Sequence, residues 1–186
     1  MNNEVFIKNL LRSTKRSGID RLIKEMEEDG FFTQPASTNH HLNYPGGLAE
    51  HSLNVYKRAR ALNECFEAGI PEDSIVITSI LHDLGKTGQF GQLGYKPNVL
   101  KNGSISESKP FVVNKDLLPV DHELRSIFIA SRYIDLTEDE QFAIMCHNGL
   151  YGNQKKTVLG NETPLYMILH FADMWASRVD EEEACN

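Results

Sequence analysis

The sequence predicts an all-α protein: a bundle of helices with one small β-hairpin inserted around residues 95–113. Two observations lead to this prediction. Along most of the chain, apolar residues recur every three or four positions, which is the spacing of an amphipathic helix. Between Gln89 and Val120 this spacing disappears, and Asn102 and Gly103 separate two short apolar runs, a sequence typical of a tight hairpin turn. The chain is therefore expected to be helical with a single short interruption.

In the first half of the chain, glycine and proline mark the helix ends. Gly30 ends the second helix, because glycine readily adopts the left-handed conformation that follows a helix. A polar, proline-containing loop leads to Gly46 and Gly47, after which apolar residues are strongly periodic. Pro71 starts the next helix and Gly85 ends it. The predicted helices in this half cover about residues 5–11, 19–26, 48–62 and 71–85.

In the second half, side chains that cap helix N-termini mark the helix starts. Asp121 is expected to cap one helix, and Thr137 with Glu140 forms the capping-box pattern of the next. Thr163 precedes Pro164, a residue that favours the first helical position. The predicted helices cover about residues 122–133, 138–147 and 164–176, and the acidic residues 181–183 are expected to form a solvated tail.

Length and composition favour one ordinary globular domain, residues 1–186, with its core at about 40–178. The 19 basic and 26 acidic residues give a formal charge of −7, which argues against an extended nucleic-acid surface but allows a local basic pocket. No apolar run approaches the roughly 20 residues that span a membrane, so a cytoplasmic protein without membrane contact is expected. The separated Cys65, Cys146 and Cys185 are expected to be reduced thiols. Oligomeric state is left open.

Several ionisable residues fall on faces that the apolar pattern assigns to the core. His51 lies in the middle of a predicted helix on its core-facing stripe, and His82 and Asp83 are expected mid-helix in the same way. Asp173 lies on the inner face of the last helix. Burying such groups is costly unless something compensates them. A divalent cation does so, because neutral imidazole and carboxylate are common ligands of such ions.

Two further histidines lie at predicted helix ends that converge on the mouth of the bundle. His122 is in the first turn of one helix and His147 is at the end of another, so each can offer a nitrogen to a second ion, with Asp83 as the bridge. Two ions about 3.5–4 Å apart stabilise in-line displacement at phosphorus. The expected cofactors are two divalent ions, from among Mn²⁺, Fe²⁺, Co²⁺, Ni²⁺ and Mg²⁺. The predicted ligands are His51, His82, Asp83, His122, His147 and Asp173.

This pattern resembles the HD-domain superfamily of metal-dependent phosphohydrolases. The segment ILHDLGKT at positions 80–87 matches the signature of that superfamily, and YPGGLAEHSLNV at 44–55 is similar to its first-histidine helix. Small bacterial and phage HD hydrolases and the HD module of bacterial 3′→5′ exoribonucleases are the most similar in pattern. The resemblance implies an HD helical bundle. It also implies a first metal held by His51, His82, Asp83 and Asp173, and a second held by His122 and His147.

The expected function is hydrolysis of a phosphoester in a small nucleotide or at an oligonucleotide end, through a hydroxide formed from metal-bound water. Two alternatives stay open. One is a di-iron oxygenase that cleaves a C–C or C–P bond, because HD proteins with the same six-ligand set include such enzymes. The other is a non-catalytic, metal-stabilised nucleotide sensor. Metal identity, oxygen dependence and removal of one ligand separate these three.

Four residues besides the ligands are candidates to act on the substrate. Lys86 follows Asp83 by three positions and is expected to join it in catalysis by neutralising charge on phosphoryl oxygens. Arg178 is a second phosphate-binding candidate. His41 precedes the two glycines of the first-histidine helix and is a candidate donor to the leaving group. Tyr151 is expected to stack on a base, with the inserted hairpin covering the site.

Overall fold

The computed structural model describes residues 2–38 and 42–181, which form a mostly helical bundle with two small antiparallel hairpins. The predicted helical class is confirmed at this level. None of the described helices is long and apolar enough to cross a membrane. The helices are α1 (Asn3–Ser13), α2 (Ile19–Glu28), α3 (Gly47–Cys65), α4 (Glu72–Leu81), α5 (His122–Ser131), α6 (Glu138–Cys146), α7 (Lys155–Val158) and α8 (Pro164–Trp175). The strands are β1 (Gly88–Gln89), β2 (Gln92–Leu93), β3 (Tyr95–Pro97) and β4 (Phe111–Val113).

Helix α3 is the central element of the bundle, and it packs on α1, α4 and α8. The predicted stripe is confirmed, because Leu48, Val55 and Ala59 are all buried. Helix α6 packs on α4, α5 and α8 and completes the ring around the core. The middle of α3, the C-terminal ends of α4 and α6 and the start of α5 consequently approach one another. Two of the three cysteines lie in the described part, and both are free: Cys65 is exposed and Cys146 is buried.

The caps of the later helices agree with the sequence in two cases out of three. Thr137 and Glu140 form the predicted capping box of α6, and the Thr163 hydroxyl accepts a hydrogen bond from the third residue of α8. Asp121 precedes α5 as predicted, but its side chain does not cap that helix. Its carboxylate instead accepts hydrogen bonds of 3.1 Å from the Asn153 amide, so it ties the start of α5 to the loop after α6.

The prediction that α4 continues to Gly85 is wrong. The helix ends at Leu81, His82 is its C-cap, and Asp83 leaves helical geometry with φ −103° and ψ 9°. A 3-10 turn, Leu84–Thr87, follows. Adjacent residues of an α-helix point about 100° apart, so two neighbours rarely face one point. Because the backbone leaves helical geometry at Asp83, His82 and Asp83 can face the same centre.

The start of α5 is held against this 3-10 turn by Ser126 and Gly85. The Ser126 hydroxyl donates to the His82 carbonyl oxygen at 2.8 Å and accepts from the Gly85 N–H at 2.7 Å. A Cβ atom on Gly85 would lie 2.1 Å from the His122 carbonyl oxygen, so only glycine permits this approach. The contact fixes the first residue of α5, His122, beside the end of α4.

The inserted hairpin is confirmed at residues 95–113, where β3 pairs antiparallel with β4. Near the predicted Asn102 and Gly103 turn, the pairing is reduced to one bridge between Val99 and Ile105. The structure adds a second hairpin, β1 with β2, that the sequence did not predict. Its turn residues Phe90 and Gly91 both have positive φ, 53° and 74°, as a type I′ turn requires. Phenylalanine gives no signal for that conformation.

Candidate metal centre

The structure brings all six predicted ligand side chains together in one cluster. Three overlapping groups within it each place their nitrogen and oxygen atoms within 4.8 Å of one another, as atoms that share a metal ion do. Five helices supply the cluster. His51 comes from the middle of α3, His82 and Asp83 from the end of α4, His122 from the start of α5, His147 from the end of α6, and Asp173 from α8.

Asp83 lies at the middle of the cluster, and its two oxygens face different histidines. Oδ2 lies 3.5 Å from Nε2 of both His51 and His82. Oδ1 lies 3.1 Å from Nε2 of His122 and 3.6 Å from Nε2 of His147. Atoms that bind one ion at about 2.1 Å lie about 3.0–3.4 Å apart, so the four distances of 3.1–3.6 Å lie at or slightly above the spacing of shared ligands. Asp173 extends the first set, with Oδ1 3.2 Å from Nε2 of His51.

Backbone carbonyls fix two of the four imidazole rings. Nδ1 of His82 lies 2.9 Å from the Ser79 carbonyl oxygen, and Nδ1 of His147 lies 2.8 Å from the Ile144 carbonyl oxygen. A carbonyl only accepts, so each Nδ1 carries the hydrogen and a neutral ring presents the lone pair of Nε2 to the centre. Metal-binding histidines are typically held in this way.

Carboxylates face the other two rings. Nδ1 of His51 lies 3.1 Å from both oxygens of Glu181, and Nδ1 of His122 lies 3.3 Å from Oε2 of Glu123. Both carboxylates are buried. All four histidines therefore direct Nε2 toward Asp83 while an acceptor faces Nδ1. Sequence reasoning singled out neither glutamate for this role.

The prediction that residues 181–183 form a solvated tail is wrong at Glu181, which is 1% exposed. A π-helical turn, Ala176–Asp180, extends α8 and carries Glu181 back to the middle of α3. Apolar periodicity cannot reveal a turn with an extra residue, so the tail was expected to leave the bundle. For Glu123 the only sequence signal was its position next to His122 in the first turn of a helix.

The electrostatics of the cluster favour positive charge at its centre. Burial disfavours a charged ring at His51, but hydrogen bonds to Asp173 and Glu181 outweigh it and raise its pKa to about 10. Burial lowers the pKa of His82. Burial would raise the pKa of Asp83, yet the charge of Lys86 and the nearby histidines hold that pKa well below its usual value. Both acids of the cluster are accordingly ionised, since the Asp173 pKa is lowered too.

Two buried polar atoms of the cluster support its fit to a metal ion. Asp83 Oδ1 and His122 Nε2 lie 3.1 Å apart, but neither makes a hydrogen bond of acceptable geometry to any residue that the structure describes. Buried polar atoms in proteins almost always have a partner. Here both atoms face the region where the imidazole nitrogens and carboxylate oxygens converge. The donor set, four imidazoles and two carboxylates, is one that divalent transition metals accept.

Lys86 lies at the edge of the cluster, beside Asp83, and its predicted role in catalysis and substrate binding stays a prediction. Its Nζ donates to Asp83 Oδ2 at 2.6 Å, and the charge of Asp83 keeps the lysine pKa raised against the effect of burial. Tyr95, from β3, lies close enough that the lysine charge opposes the upward shift that burial gives the phenol pKa.

The remaining predicted substrate residues are Arg178, Tyr151 and His41. The Arg178 guanidinium lies over the ring of Tyr151, 5.0 Å from its centroid, and both side chains are exposed. Within residues 2–38 and 42–181, neither forms an ion pair or hydrogen bond with the six cluster residues. His41 falls outside the described residues. Substrate binding by these three residues stays a prediction.

Two curated proteins are similar to part of this chain. One, the 3′-5′ exoribonuclease YhaM of Listeria welshimeri, is 28% identical over 76 residues, which are 41% of this chain and 24% of the relative. The other, the 3′-5′ exoribonuclease YhaM of a Geobacillus species, is 35% identical over 68 residues, 37% of this chain and 21% of the relative. The chain thus spans about a quarter of the length of these relatives. No family model matches the chain. No solved structure matches it either.

Proposed function

We propose that this chain is a metal-dependent phosphohydrolase with a two-ion centre. The observation that carries the proposal is the arrangement around Asp83, in which each carboxylate oxygen faces a different pair of imidazole nitrogens. Every one of those rings has its other nitrogen against an acceptor. One ion would be held by His51, His82, Asp83 and Asp173, and the other by Asp83, His122 and His147.

When bound, such ions polarise a phosphoryl oxygen and lower the pKa of coordinated water. The chain's own residues contribute position and charge. The acceptors at Nδ1 orient the imidazoles, and burial of His51, His82 and Asp83 keeps bulk water from them. Lys86 holds a positive charge 2.6 Å from Asp83 Oδ2, where it would stabilise negative charge on a phosphoryl group.

The ligand atoms of the candidate centre favour some divalent ions over others. Four imidazole nitrogens suit Mn²⁺, Fe²⁺, Co²⁺ or Ni²⁺, whereas Mg²⁺ prefers oxygen ligands and bound water. We therefore expect a transition metal to support activity better than Mg²⁺. Within the predicted set of ions, Mn²⁺ is the practical first choice for assays because it needs no exclusion of oxygen.

The substrate we propose is a phosphodiester at the end of a short RNA or a small nucleotide. Partial similarity to two 3′-5′ exoribonucleases supports this class of bond. The test is product chromatography after incubating the Mn²⁺-loaded protein with a 5′-labelled oligoribonucleotide, its DNA counterpart, cyclic nucleotides and nucleoside mono-, di- and triphosphates. We expect metal-dependent turnover of at least one member. If no member of the panel is turned over, the proposal is contradicted. Oxygen uptake by the iron-loaded protein would then indicate the oxygenase alternative.

The contact between Glu181 and His51 leads to a separate prediction. Replacing a carboxylate that orients a metal-binding histidine typically weakens metal binding about 10–100-fold. We expect Glu181→Ala to weaken Mn²⁺ binding by that factor in isothermal titration. Asp180→Ala is the matched control, because the neighbouring Asp180 carboxylate pairs with Arg58 at the surface. Equal Mn²⁺ affinity of the two variants would show that Glu181 does not act through His51.

A further inference from the structure

The Arg125 side chain, on α5, is a buried cation that has no acidic partner among the described residues. The residue is 8% exposed, and its one hydrogen bond to the described residues runs from Nη2 to the Leu118 carbonyl oxygen at 3.1 Å. Its Nε is buried and makes no hydrogen bond. Among the described residues, no carboxylate forms an ion pair with it. Burying a guanidinium in this state is costly, because no carboxylate of the described residues balances its charge and its Nε–H has no acceptor.

The carboxylates nearest to Arg125 in sequence have other partners. Asp116 pairs with Lys96 at 2.6 Å, Asp121 accepts from Asn153, and Glu123 accepts from Asn148 at 2.6 Å. None of them compensates Arg125.

The other largely buried arginine of this chain, Arg16, does have acidic partners. Arg16 bonds to the carboxylates of Glu140 and Asp73. The fold thus compensates one buried guanidinium with two acids and leaves the other without any. A bound anionic ligand would supply the negative charge that balances the buried Arg125 guanidinium.

A cavity of about 350 Å³ adjoins Arg125 and is large enough for a phosphate group. The segment after β4 forms one wall, which includes Asn114 and Lys115, and Gly94 lies in the wall as well. Lys115 adds a second positive charge. Gly94 itself lies against the 3-10 turn after Asp83, because a Cβ on Gly94 would lie 2.1 Å from the carbonyl oxygen of Lys86.

We propose that this cavity is an anion site for a phosphate group, with Arg125 as its main donor and Lys115 as a second cation. The guanidinium offers a fork of N–H groups that matches the oxygens of a phosphate. The phosphate is either free or carried by an oligonucleotide whose end lies at the metal centre. The site goes beyond the proposed function, because Arg125 and Lys115 line the cavity whether or not the six-residue cluster binds metal.

The test measures binding of inorganic phosphate to the full chain by isothermal titration in EDTA, so that no metal contributes. We expect binding by the wild type and at least about tenfold weaker binding by Arg125→Met, because the lost hydrogen bonds are charge-assisted. Arg125→Met should also keep or raise the melting temperature, since it removes an unpaired buried charge. Lys115→Ala, at an exposed position, gives a second variant whose fold is not at risk and should bind phosphate several-fold more weakly.

The source of the phosphate is decided by a second arm with 5′-phosphorylated and 5′-hydroxyl oligoribonucleotides. Tighter binding of an oligonucleotide than of inorganic phosphate, reduced by Arg125→Met, would place a substrate phosphate in the cavity. Equal or tighter binding of inorganic phosphate would identify a free anion, and either result supports the site. Absence of phosphate binding by the wild type at about 10 mM, the concentration range of a very weak site, would overturn it. Equal binding by wild type, Arg125→Met and Lys115→Ala would overturn it too.

Discussion

Asp83→Asn is expected to abolish metal-dependent hydrolysis, with a loss of more than about 100-fold. Losing a group one step removed from a metal already costs about 10–100-fold, and Asp83 faces both sets of imidazole nitrogens directly. Asparagine keeps the size of the side chain but replaces one of the two anionic oxygens by an amide nitrogen that does not bind these ions. The measurement is the rate of product formation with Mn²⁺ on the substrate that the chromatography identifies.

The control for this variant is Asp116→Asn, the same chemical change at an exposed ion pair with Lys96. It should leave the rate unchanged. Because Asp83→Asn also removes the carboxylate partner of Lys86, circular dichroism and thermal melting must show that the variant is folded. A folded Asp83→Asn protein with the wild-type rate would contradict the proposed role of Asp83.

Among the variants proposed here, Arg16→Met is expected to lower the free energy of unfolding the most, by about 3–5 kcal/mol. Arg16 donates to both oxygens of Glu140, at 2.5 and 2.7 Å, and the Glu140 side chain is fully buried. Ser74 also donates to this carboxylate. Removing the guanidinium therefore leaves an uncompensated buried charge where the loop after α1 meets α4 and α6.

The measurement is the free energy of unfolding from urea titration, with Arg12→Met as the matched control. Arg12 forms an exposed pair with Asp20, and such pairs contribute about 0–1 kcal/mol. We expect the control to unfold at nearly the wild-type urea concentration. Similar losses for both variants would show that burial of Glu140 does not set the cost.

The convergence of the six cluster residues could be predicted from the sequence because it depends on periodicity. His51 and Asp173 recur with apolar neighbours at helical spacing, so packing the apolar stripes together also brings these residues inward. The capping box at Thr137 and Glu140 could also be predicted, because it depends only on residues that are close in sequence. Its two hydrogen bonds are present as predicted.

What the sequence did not reveal depends on tertiary structure. Nothing in the apolar pattern distinguishes an α4 that ends at Leu81 from one that continues, because Leu84 is buried in either case. The end is stabilised by Ser126, from α5. Likewise, the π-helical turn before Glu181 and the unpartnered Nε of Arg125 are properties of the packed part of the chain that the structure describes. The π-helical turn brings Glu181 to His51 in the candidate metal centre. The unpartnered Nε of Arg125 is one basis of the proposed anion site.

The most direct test of the two-ion centre is the number of ions that the chain binds. Equilibrium dialysis against Mn²⁺, followed by metal analysis of the retained protein, measures it without reference to any substrate. We expect two ions per wild-type chain at saturation and no more than one per Asp83→Asn chain, because the Asp83 carboxylate faces both sets of histidines. A wild-type chain that retains no stoichiometric Mn²⁺, Fe²⁺, Co²⁺ or Ni²⁺ would contradict the account.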